Sequence, residues 1–452
     1  MREPSGLLIF HGNRLDELAN VMLTHVAQSP LPGLTPERWV VQGQGMKAWL
    51  QFQAAQHPQL GVLADTHIDQ PAALLWDLQR LVLGAQAVPA ELPLDETPLV
   101  WQLLRWLHQH RDDPNPVWQP LHHHLAAAPE ALRAQREHQL ALQLADVFDA
   151  YQTHRADWLA LWAQGQAEVI NGQGQRQALA PHQRWQALLW ADLVQHAREV
   201  TGLRWVSRDQ VFQAFVQRLA QAPAGSLHGL PPRLVWLGVS ALPVSHIHAL
   251  GLLSRHTQVL VFALNPSAAY WGDAQRRAHW PVSDLSAEPT ASDHPLLAAW
   301  GQQARDFLHA IDDADPQSNP RRDFFQDPRP DAHPPTALQA LQADLLLNRP
   351  PQGPSSEQPF PAPDGSLLFV NAHSPMREVQ ALHDQVLSWL AEDPSLQARD
   401  IVVMVSDLDT FEPLVRAAWG RFEPSDPRWV PYHMARPQPD QAQALQWVDK
   451  GL

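Results

Sequence analysis

The stretch that decides the fold is Leu7-Leu8-Ile9-Phe10-His11-Gly12-Asn13-Arg14. Its first four residues form an apolar run typical of a buried strand, and the next four are turn residues. From Leu15 to Val26, apolar residues recur at helical spacing. Strand, tight turn and helix in this order indicate the first unit of a nucleotide-driven motor domain. The turn, however, lacks the glycine loop ending in Gly-Lys-Ser/Thr, whose lysine reaches the phosphates.

Lysine is almost absent from this chain. The two lysines among its 452 residues are Lys47 and Lys450, and neither lies in the first turn. A motor also needs a strand that ends in carboxylates, which position magnesium and a water. The natural candidate strand, Leu234–Val239, ends instead in Ser240-Ala241-Leu242-Pro243. The sequence therefore predicts either a motor-like sheet that has lost its nucleotide site or a sheet that never bound nucleotide.

Composition limits the kinds of partner and chemistry. The formal net charge is -15, so the chain by itself is a poor non-specific DNA binder, and any contact needs a local polar channel or a partner. Arginine favours planar, bidentate contacts to phosphate and base, but genomic base composition explains the scarcity of lysine relative to arginine equally well. The absence of cysteine excludes disulfides, thiolate nucleophiles and cysteine-zinc sites. No signal peptide and no apolar run of ~18 residues is found, so we expect a cytoplasmic protein without a membrane span.

Hydrophobic periodicity predicts an α/β protein with a parallel sheet that a helical module interrupts. Continuous apolar runs at Leu234–Val239 and Val259–Leu264 are typical of central parallel strands. Further strands are predicted at Leu367–Val370 and Ile401–Val405, too few for a finished sheet, which suggests a fragmentary chain. The predicted regions are 1–70, the first part of the α/β domain; 71–225, a helical insertion; 226–311, the return to that domain; 312–365, a proline-rich linker; and 366–452, the start of a truncated second α/β domain.

Several motifs that invite a metal or catalytic interpretation are better explained by structure. Asp407-Leu408-Asp409 lacks a nearby lysine and opens a helix, so helix capping is favoured over a two-metal nuclease. The three histidines of His122-His123-His124 point in different directions on a helix and do not converge on one ion. Gly172-Gln173-Gly174-Gln175 opens no helix and is predicted to be a surface turn. We therefore expect no metal site and no catalytic residue.

Tryptophan is unusually common, with 19 residues. Most are expected in cores, because an indole side chain is large and apolar. A minority could instead serve as stacking platforms for an unpaired strand. The residues predicted as core are Trp101, Trp106, Trp185 and Trp190, and the candidate platforms are Trp76, Trp158 and Trp162.

One polar constellation remains. Asp146 and Asp149 lie three residues apart on a predicted helix and share a face, and Arg155 follows them. Gln42 and Gln44 lie at the carboxyl end of a predicted strand, where open α/β sheets bind ligands. Carboxylates accept hydrogen bonds from cytosine amino groups, and arginine can read guanine. A polar channel for an unpaired strand is one interpretation. The other is a solvated helix face with a cap or salt bridge, and spacing alone favours this second interpretation.

Seven stretches in order along the chain resemble the RecC family, the gamma subunit of bacterial exodeoxyribonuclease V (RecBCD). None of the seven is a generic motif, and together they run over nearly the whole chain. They are His11–Asp16; Val41-Gln42 with Gly45-Met46 and Trp49-Leu50; Ala145–Asp149 with Arg155–Leu159; Gly238–Pro243; Asn265-Pro266 with Tyr270–Asp273; His294–Gly301; and His373–Pro375 with Arg377–Val379.

The resemblance implies an inactive superfamily 1 helicase-like (P-loop NTPase-like) fold and a non-catalytic role. Such a subunit splits the duplex end, guides the unwound single strands and recognises the Chi hotspot in the 3′-ending strand during double-strand break repair by homologous recombination. Its implied partners are RecB-like and RecD-like motor subunits in a heterotrimer, with single-stranded and forked double-stranded DNA. ATP and Mg²⁺ would be used by those partners, and no cofactor is expected on this chain.

The resemblance also assigns channel-lining DNA-binding residues by position. They are Gln42, Gln44, Trp76, Asp146, Asp149, Arg155 and Arg208. Ala48, Gln70 and Ala150 depart from the best-known form at channel positions, which leaves the hotspot sequence open. Two alternatives remain: a structural adaptor for motor subunits that reads no DNA, and a helicase or nuclease that acts alone.

Overall fold

The computed structural model describes residues 6–33, 35–127, 129–272, 294–314, 322–331, 333–350 and 364–434. Lys450, Asp273 of the family-like stretch and parts of the predicted linker therefore lie outside the described residues. The chain divides into two compact units, Met1–Asp327 with Ala343–Gln352, and Pro328–Gln342 with Gly353–Leu452. None of the helices in the described ranges has the length and hydrophobicity needed to span a bilayer.

The secondary structure alternates between strands and helices, with a long helical stretch in the middle. The strands are β1 (Gly6–Gly12), β2 (Glu37–Val40), β3 (Thr66–Asp69), β4 (Glu168–Ile170), β5 (Arg176–Ala178), β6 (Arg233–Leu237), β7 (Gln258–Leu264) and β8 (Arg322–Asp323). The helices are α1 (Leu15–Gln28), α2 (Gln44–Gln56), α3 (Pro71–Leu83), α4 (Glu96–Gln109), α5 (Gln119–Ala126), α6 (Arg133–His154), α7 (Ala156–Trp162), α8 (Arg184–Thr201), α9 (Arg208–Gln221), α10 (Val244–Leu253), α11 (Pro295–Trp300), α12 (Gln302–Asp313), α13 (Ala337–Leu346), α14 (Pro375–Glu392) and α15 (Leu408–Ala418).

Six strands of the first unit form a parallel sheet in the order β3-β2-β6-β7-β1-β8. This confirms the prediction of an α/β fold with a parallel sheet that resumes after a helical module. β1 lies inside the sheet, paired along its whole length with β7. Sequence patterns did not indicate β3 or β8. β8 has two residues, falls in the predicted linker and forms only where it pairs with the end of β1.

Helices cover both faces of the sheet, because right-handed crossovers that run in opposite directions along the strand order place their helices on opposite faces. The side chains of β6 alternate: Leu234 and Trp236 face one core, and Val235 and Leu237 face the other. Helices α1 and α2 pack on the Val235 side, and α3, α9, α10 and α12 pack on the Leu234 side. Both faces are apolar because both are buried, which explains the continuous hydrophobic runs in the sequence.

Helices α4 to α8 form a separate core within the first unit. Its centre is aromatic: Phe148 stacks on Trp190 with ring centroids 5.2 Å apart. The short hairpin of β4 and β5 packs beside α7, where Trp162 Nε1 donates to the carbonyl oxygen of Glu168 at 2.8 Å. Its connection contains Gly172–Gln175, so the prediction of a surface turn is confirmed. α9 joins this core to the sheet, because it packs against α6 and α7 as well as α3 and α10.

The second unit contains a two-helix core and no strand among its described residues. α14 begins as predicted, with the Ser374 side chain accepting from the backbone N–H of Arg377 and proline at the first position. Asp407 lies just before α15, and its side chain accepts from the N–H of Asp409 at 3.0 Å, which confirms capping. The predicted strands Leu367–Val370 and Ile401–Val405 are wrong: neither pairs with another strand. Both segments expose apolar side chains, since no neighbouring strand in the described ranges covers them.

Candidate nucleic-acid interface

The carboxyl end of β1 opens into a cavity of about 400 Å³, where an open α/β sheet would hold a ligand. Its lining includes Arg305 together with Asp312, Asp313 and Asp323. The guanidinium of Arg305 lies 3.2 Å from the carboxylate of Asp306, so its charge is already partly balanced. Buried His11, the next-to-last residue of β1, has its Nε2 3.9 Å from Oδ1 of Asp312. The described lining thus carries more carboxylates than cations, which disfavours the binding of a triphosphate.

The end of β6 carries a hydroxyl where a motor domain would need a carboxylate. Ser240 Oγ donates to Gln42 Oε1 at 3.2 Å, which links the ends of β6 and β2. Gly238 turns the chain with φ of 64°, and a Cβ there would approach Leu15 to 2.8 Å, so glycine is required. The Gln42 side chain therefore has a structural role at the sheet edge, and it remains exposed to solvent.

Gln44 is the first residue of α2 and is exposed. The residue before it, Gly43, has extended backbone and no side chain that could cap the helix. Lys47 lies one turn further on, with its backbone N–H donating to Gly43 O at 3.0 Å. The exposed N-terminal turn of α2 can donate hydrogen bonds. It follows β2, however, whereas a phosphate loop would lie in the turn after β1.

A cluster of charged side chains lies where α4, α6 and α9 meet, and we call it the acid–arginine cluster. It consists of Asp95, Glu96, Asp146, Asp149 and Arg208. Arg208 Nε donates to Asp95 Oδ1 at 2.7 Å. Burial, together with the charges of Asp95 and Asp146, raises the pKa of Asp149, although Arg208 acts in the opposite direction.

Charged groups in this cluster shift one another's pKa values. Burial and the charges of Asp149 and Asp146 raise the pKa of Glu96 above its usual value. Burial lowers the pKa of Arg208, but the charge of Asp95 and the hydrogen bond to it outweigh burial, and the net shift is upward. The carboxylates of Asp95, Asp149 and Glu96 act on the charge of Arg208, and Asp146 acts on Asp149 and Glu96. The cluster is therefore rich in hydrogen-bond acceptors and has a single strong donor.

Arg155 lies at the C-terminal end of α6 and is exposed. Its guanidinium carbon lies 4.5 Å from the ring centroid of Trp158, a cation–π geometry. The Trp158 indole is fixed from its other side, because Nε1 donates to Ile170 O of β4 at 3.0 Å. Tyr151 packs nearby, its ring centroid 5.8 Å from that of Trp158. The result is an exposed arginine on a fixed, half-buried aromatic support.

The tryptophan predictions divide. Trp106 and Trp190 are buried as predicted, and Trp185 packs partly buried against the same core. The prediction that Trp101 lies in a core is wrong. This side chain is 66% exposed, on the side of α4 opposite Leu99 and Leu103. The stacking prediction for Trp162 is also wrong, because this ring is buried and cannot meet a base.

Trp76, predicted both as a platform and as a channel residue, is half-buried on α3. Its Nε1 donates to Ala90 O at 3.2 Å, and its ring packs against the small cluster of Val88, Leu92 and Val211. These contacts give Trp76 a structural role that needs no DNA, and its use as a platform stays a prediction.

The structure brings together three of the predicted site residues, Asp146, Asp149 and Arg208, in the acid–arginine cluster. Gln42, Trp76 and Arg155 make separate local contacts, and Gln44 lies exposed at the start of α2. Sequence reasoning missed Asp95 and Glu96. The only signal at these positions is an acid pair at the start of a helix, which capping explains equally well.

Metal ligands do not converge in the described ranges: no three His, Cys, Asp or Glu side chains there could hold an ion. Of the three consecutive histidines on α5, His122 directs Nε2 toward the carbonyl oxygen of His110 at 2.9 Å. This contact joins α5 to the end of α4 and accounts for His122 as a structural residue.

Comparison with known proteins gives a consistent result. A family model described as RecC, N-terminal domain, matches residues 7–348. The RecBCD enzyme subunit RecC of Escherichia coli (strain K12) is 33% identical, over 94% of this chain and 39% of that protein. The subunit of the same name from Haemophilus influenzae (strain Rd) is 27% identical, over 95% of this chain and 40% of that protein. The chain thus spans about two fifths of the length of these curated relatives.

Proposed function

This chain belongs to the RecC family, and on that premise we propose that it is part of a non-catalytic DNA-handling subunit of a helicase/nuclease complex. The complex would repair double-strand breaks by homologous recombination. Relatives are named as subunits of the RecBCD enzyme, which supports RecB-like and RecD-like motor proteins as partners. ATP and Mg²⁺ would be consumed by those partners, and the protein would act in the cytoplasm.

The helicase-like assignment of the sheet is part of this proposal. It is supported by β1 lying inside a parallel sheet, with its carboxyl end at a cavity. The nucleotide chemistry is missing at both places where a motor needs it. The turn after β1 has no lysine, and Ser240 stands after β6 where carboxylates would hold magnesium. The sheet would then serve as a frame that positions the helical insertion.

The observation that carries DNA reading is the acid–arginine cluster. An exposed guanidinium can donate to the O6 and N7 atoms of guanine, and carboxylates can accept from the amino group of cytosine. Arg155 on its Trp158 support adds a second exposed cation, which follows Asp146 and Asp149 at the end of α6. Surrounding carboxylates discourage tight binding of phosphate, so a moving strand would be read rather than held. We assign recognition of the Chi hotspot in the 3′-ending strand to this surface.

Photocrosslinking tests whether the surface meets DNA. The purified chain is mixed with single-stranded oligonucleotides that carry photoreactive thymidine analogues, and crosslinked peptides are identified by mass spectrometry. We expect crosslinks on the segments 146–158 and 205–212, reduced in Arg208→Ala and Arg155→Ala. Arg111→Ala is the matched control, because Arg111 also pairs with a buried carboxylate, that of Glu137 at 2.7 Å, elsewhere on the insertion.

Other outcomes favour the alternatives. Crosslinks that persist unchanged in both variants, or that map elsewhere, would favour a structural adaptor that does not read DNA. ATP hydrolysis by the purified chain that Lys47→Ala abolishes would favour an enzyme that acts alone.

A further inference from the structure

Arg208 is held at two points, by its backbone and by its side chain. The backbone N–H of Arg208 donates to Oε1 of Gln152 at 2.8 Å, and the side-chain Nε donates to Asp95 Oδ1 at 2.7 Å. Both partners are buried, whereas the Arg208 side chain is 51% exposed. A half-exposed arginine is thus attached to two groups that cannot themselves reach a ligand.

Gln152 is fixed on its other side. Its Nε2 donates to the carbonyl oxygen of Leu94 at 2.8 Å. The N–H of Leu94 in turn donates to Val206 O at 3.1 Å. One buried amide of α6 therefore connects the segment before α4 to the segment before α9, and the first residue of α9 cannot shift without breaking this connection.

Asp95 is fixed as well. Its Oδ2 accepts from the backbone N–H of Leu92 at 2.9 Å, so the two carboxylate oxygens have different partners. The carbonyl oxygen of Asp95 accepts from Leu99 N–H at 2.8 Å in the first turn of α4. Because Asp95 is buried and each of its carboxylate oxygens has a hydrogen-bond partner, Oδ1 is held in one orientation toward Arg208. This differs from an ordinary surface ion pair, in which both side chains move.

The consequence concerns the rest of the guanidinium. A guanidinium has five N–H groups in one plane, and only Nε is used by Asp95. Within the described ranges, the hydrogen bonds of the Arg208 side chain are confined to Nε. Anchoring Nε fixes the plane and leaves the Nη1 and Nη2 groups for a ligand. The charge of Asp95 offsets that of Arg208, which weakens attraction to phosphate but leaves two directed donors suited to the edge of a base.

We propose that Asp95 and Gln152 are positioning residues that fix the plane of Arg208, so that its Nη groups read the guanine edge of an unpaired strand. The inference rests on the proposed function. It adds to that function the base class read by Arg208 and two residues that act through Arg208 without touching DNA.

The test compares two labelled single-stranded oligonucleotides by fluorescence anisotropy. They are identical except that one carries 7-deazaguanine, which lacks the N7 acceptor, in place of guanine. Loss of one charge-assisted hydrogen bond should weaken binding roughly five-fold or more in the unmodified chain. The ratio of the two dissociation constants is the readout, because a general loss of folding or charge would change both constants together.

We expect that ratio to fall to about one in Asp95→Asn, Gln152→Leu and Arg208→Ala. Glu137→Gln is the matched control, a buried carboxylate paired to a partly exposed arginine at 2.7 Å on the same insertion, and it should keep the ratio. Arg208→Lys keeps the charge at an exposed position but has no Nε anchor or planar donor pair. In this variant too, the ratio of the two dissociation constants should fall to about one. This variant decides the question if a buried substitution unfolds the insertion.

The contrary results are distinct. If Arg208→Ala loses the ratio while Asp95→Asn and Gln152→Leu keep it, or if Arg208→Lys keeps it, positioning is refuted and the proposed function stands. If the unmodified chain binds single-stranded DNA but shows no preference for guanine, the inference fails alone. If the chain binds no single-stranded DNA, the proposed function fails and the inference fails with it.

Discussion

Replacing buried Asp209 by asparagine should stabilise the start of α9 at neutral pH. Burial raises the pKa of Asp209 to about 6 from 3.8, with neighbouring Ser207 and the amides of the first turn offsetting part of the effect. A carboxyl with a raised pKa in the folded state disfavours folding once it ionises. A difference of about 2 units corresponds to a cost of about 3 kcal/mol. Asparagine has a similar shape but does not ionise, so this cost should disappear.

The upward direction of the Asp209 pKa shift determines the pH range in which the cost to folding appears. The folded state holds the proton more tightly, so the cost is absent below pH 4, grows as the pH rises from 4 to 6, and is constant above pH 6. Hydrogen exchange of the peptide spanning 208–221, corrected for intrinsic rates, measures the local free energy of opening at pH 5 and pH 7.5. We expect the variant to be more stable at pH 7.5 and to show a flatter pH dependence. Equal stability and an unchanged slope would refute the reasoning.

Three further changes have defined outcomes. In a complex reconstituted with the proposed RecB-like and RecD-like motor partners, Asp149→Ala or Arg155→Ala should alter the proposed hotspot response more than unwinding, and equal losses in both assays would count against a reading role. Glu37→Gln should lower the free energy of unfolding by about 3 kcal/mol in urea titrations, because it removes a carboxylate that pairs with the buried guanidinium of Arg233; a change under 1 kcal/mol would contradict this. Phe369→Lys should reduce binding of a hydrophobic dye to the second unit, since this ring is 92% exposed, and unchanged dye fluorescence would argue that the segment is covered.

The sheet could be predicted because its strands are buried on both faces. Runs such as Leu234–Leu237 are apolar at every position, and few other structures require that. β3 and β8 escaped prediction because each is short and is defined by its neighbour. β8, for example, consists of Arg322 and Asp323 and exists only as pairing with Phe10 and His11.

The second unit shows the converse. Leu367–Val370 and Ile401–Val405 have the composition of strands, but a strand needs a hydrogen-bonded neighbour and a covered face. Within the described ranges neither segment has one, and Met404 is 90% exposed. Local propensity therefore identified which residues favour extended structure, but it could not supply the ladder partner.

The candidate site was predicted in part. Asp146 and Asp149 follow from helical spacing, because residues three apart share a face. Their meeting with Arg208 could not be predicted from spacing, since the bond from Arg208 to Asp95 joins residues 113 positions apart. The resemblance to a family supplied Arg208, whereas Asp95 and Gln152 emerged only from the packing of α4, α6 and α9.

Binding of Mg²⁺-ATP to the purified chain tests the central claim most directly. The claim is that a motor-like sheet here positions DNA-reading groups without holding a nucleotide. Equilibrium titration with a fluorescent ATP analogue should show no saturable binding, while a labelled single-stranded oligonucleotide binds to the same preparation. Saturable nucleotide binding at the cavity beyond β1, weakened by replacing Arg305 or His11, would contradict the claim.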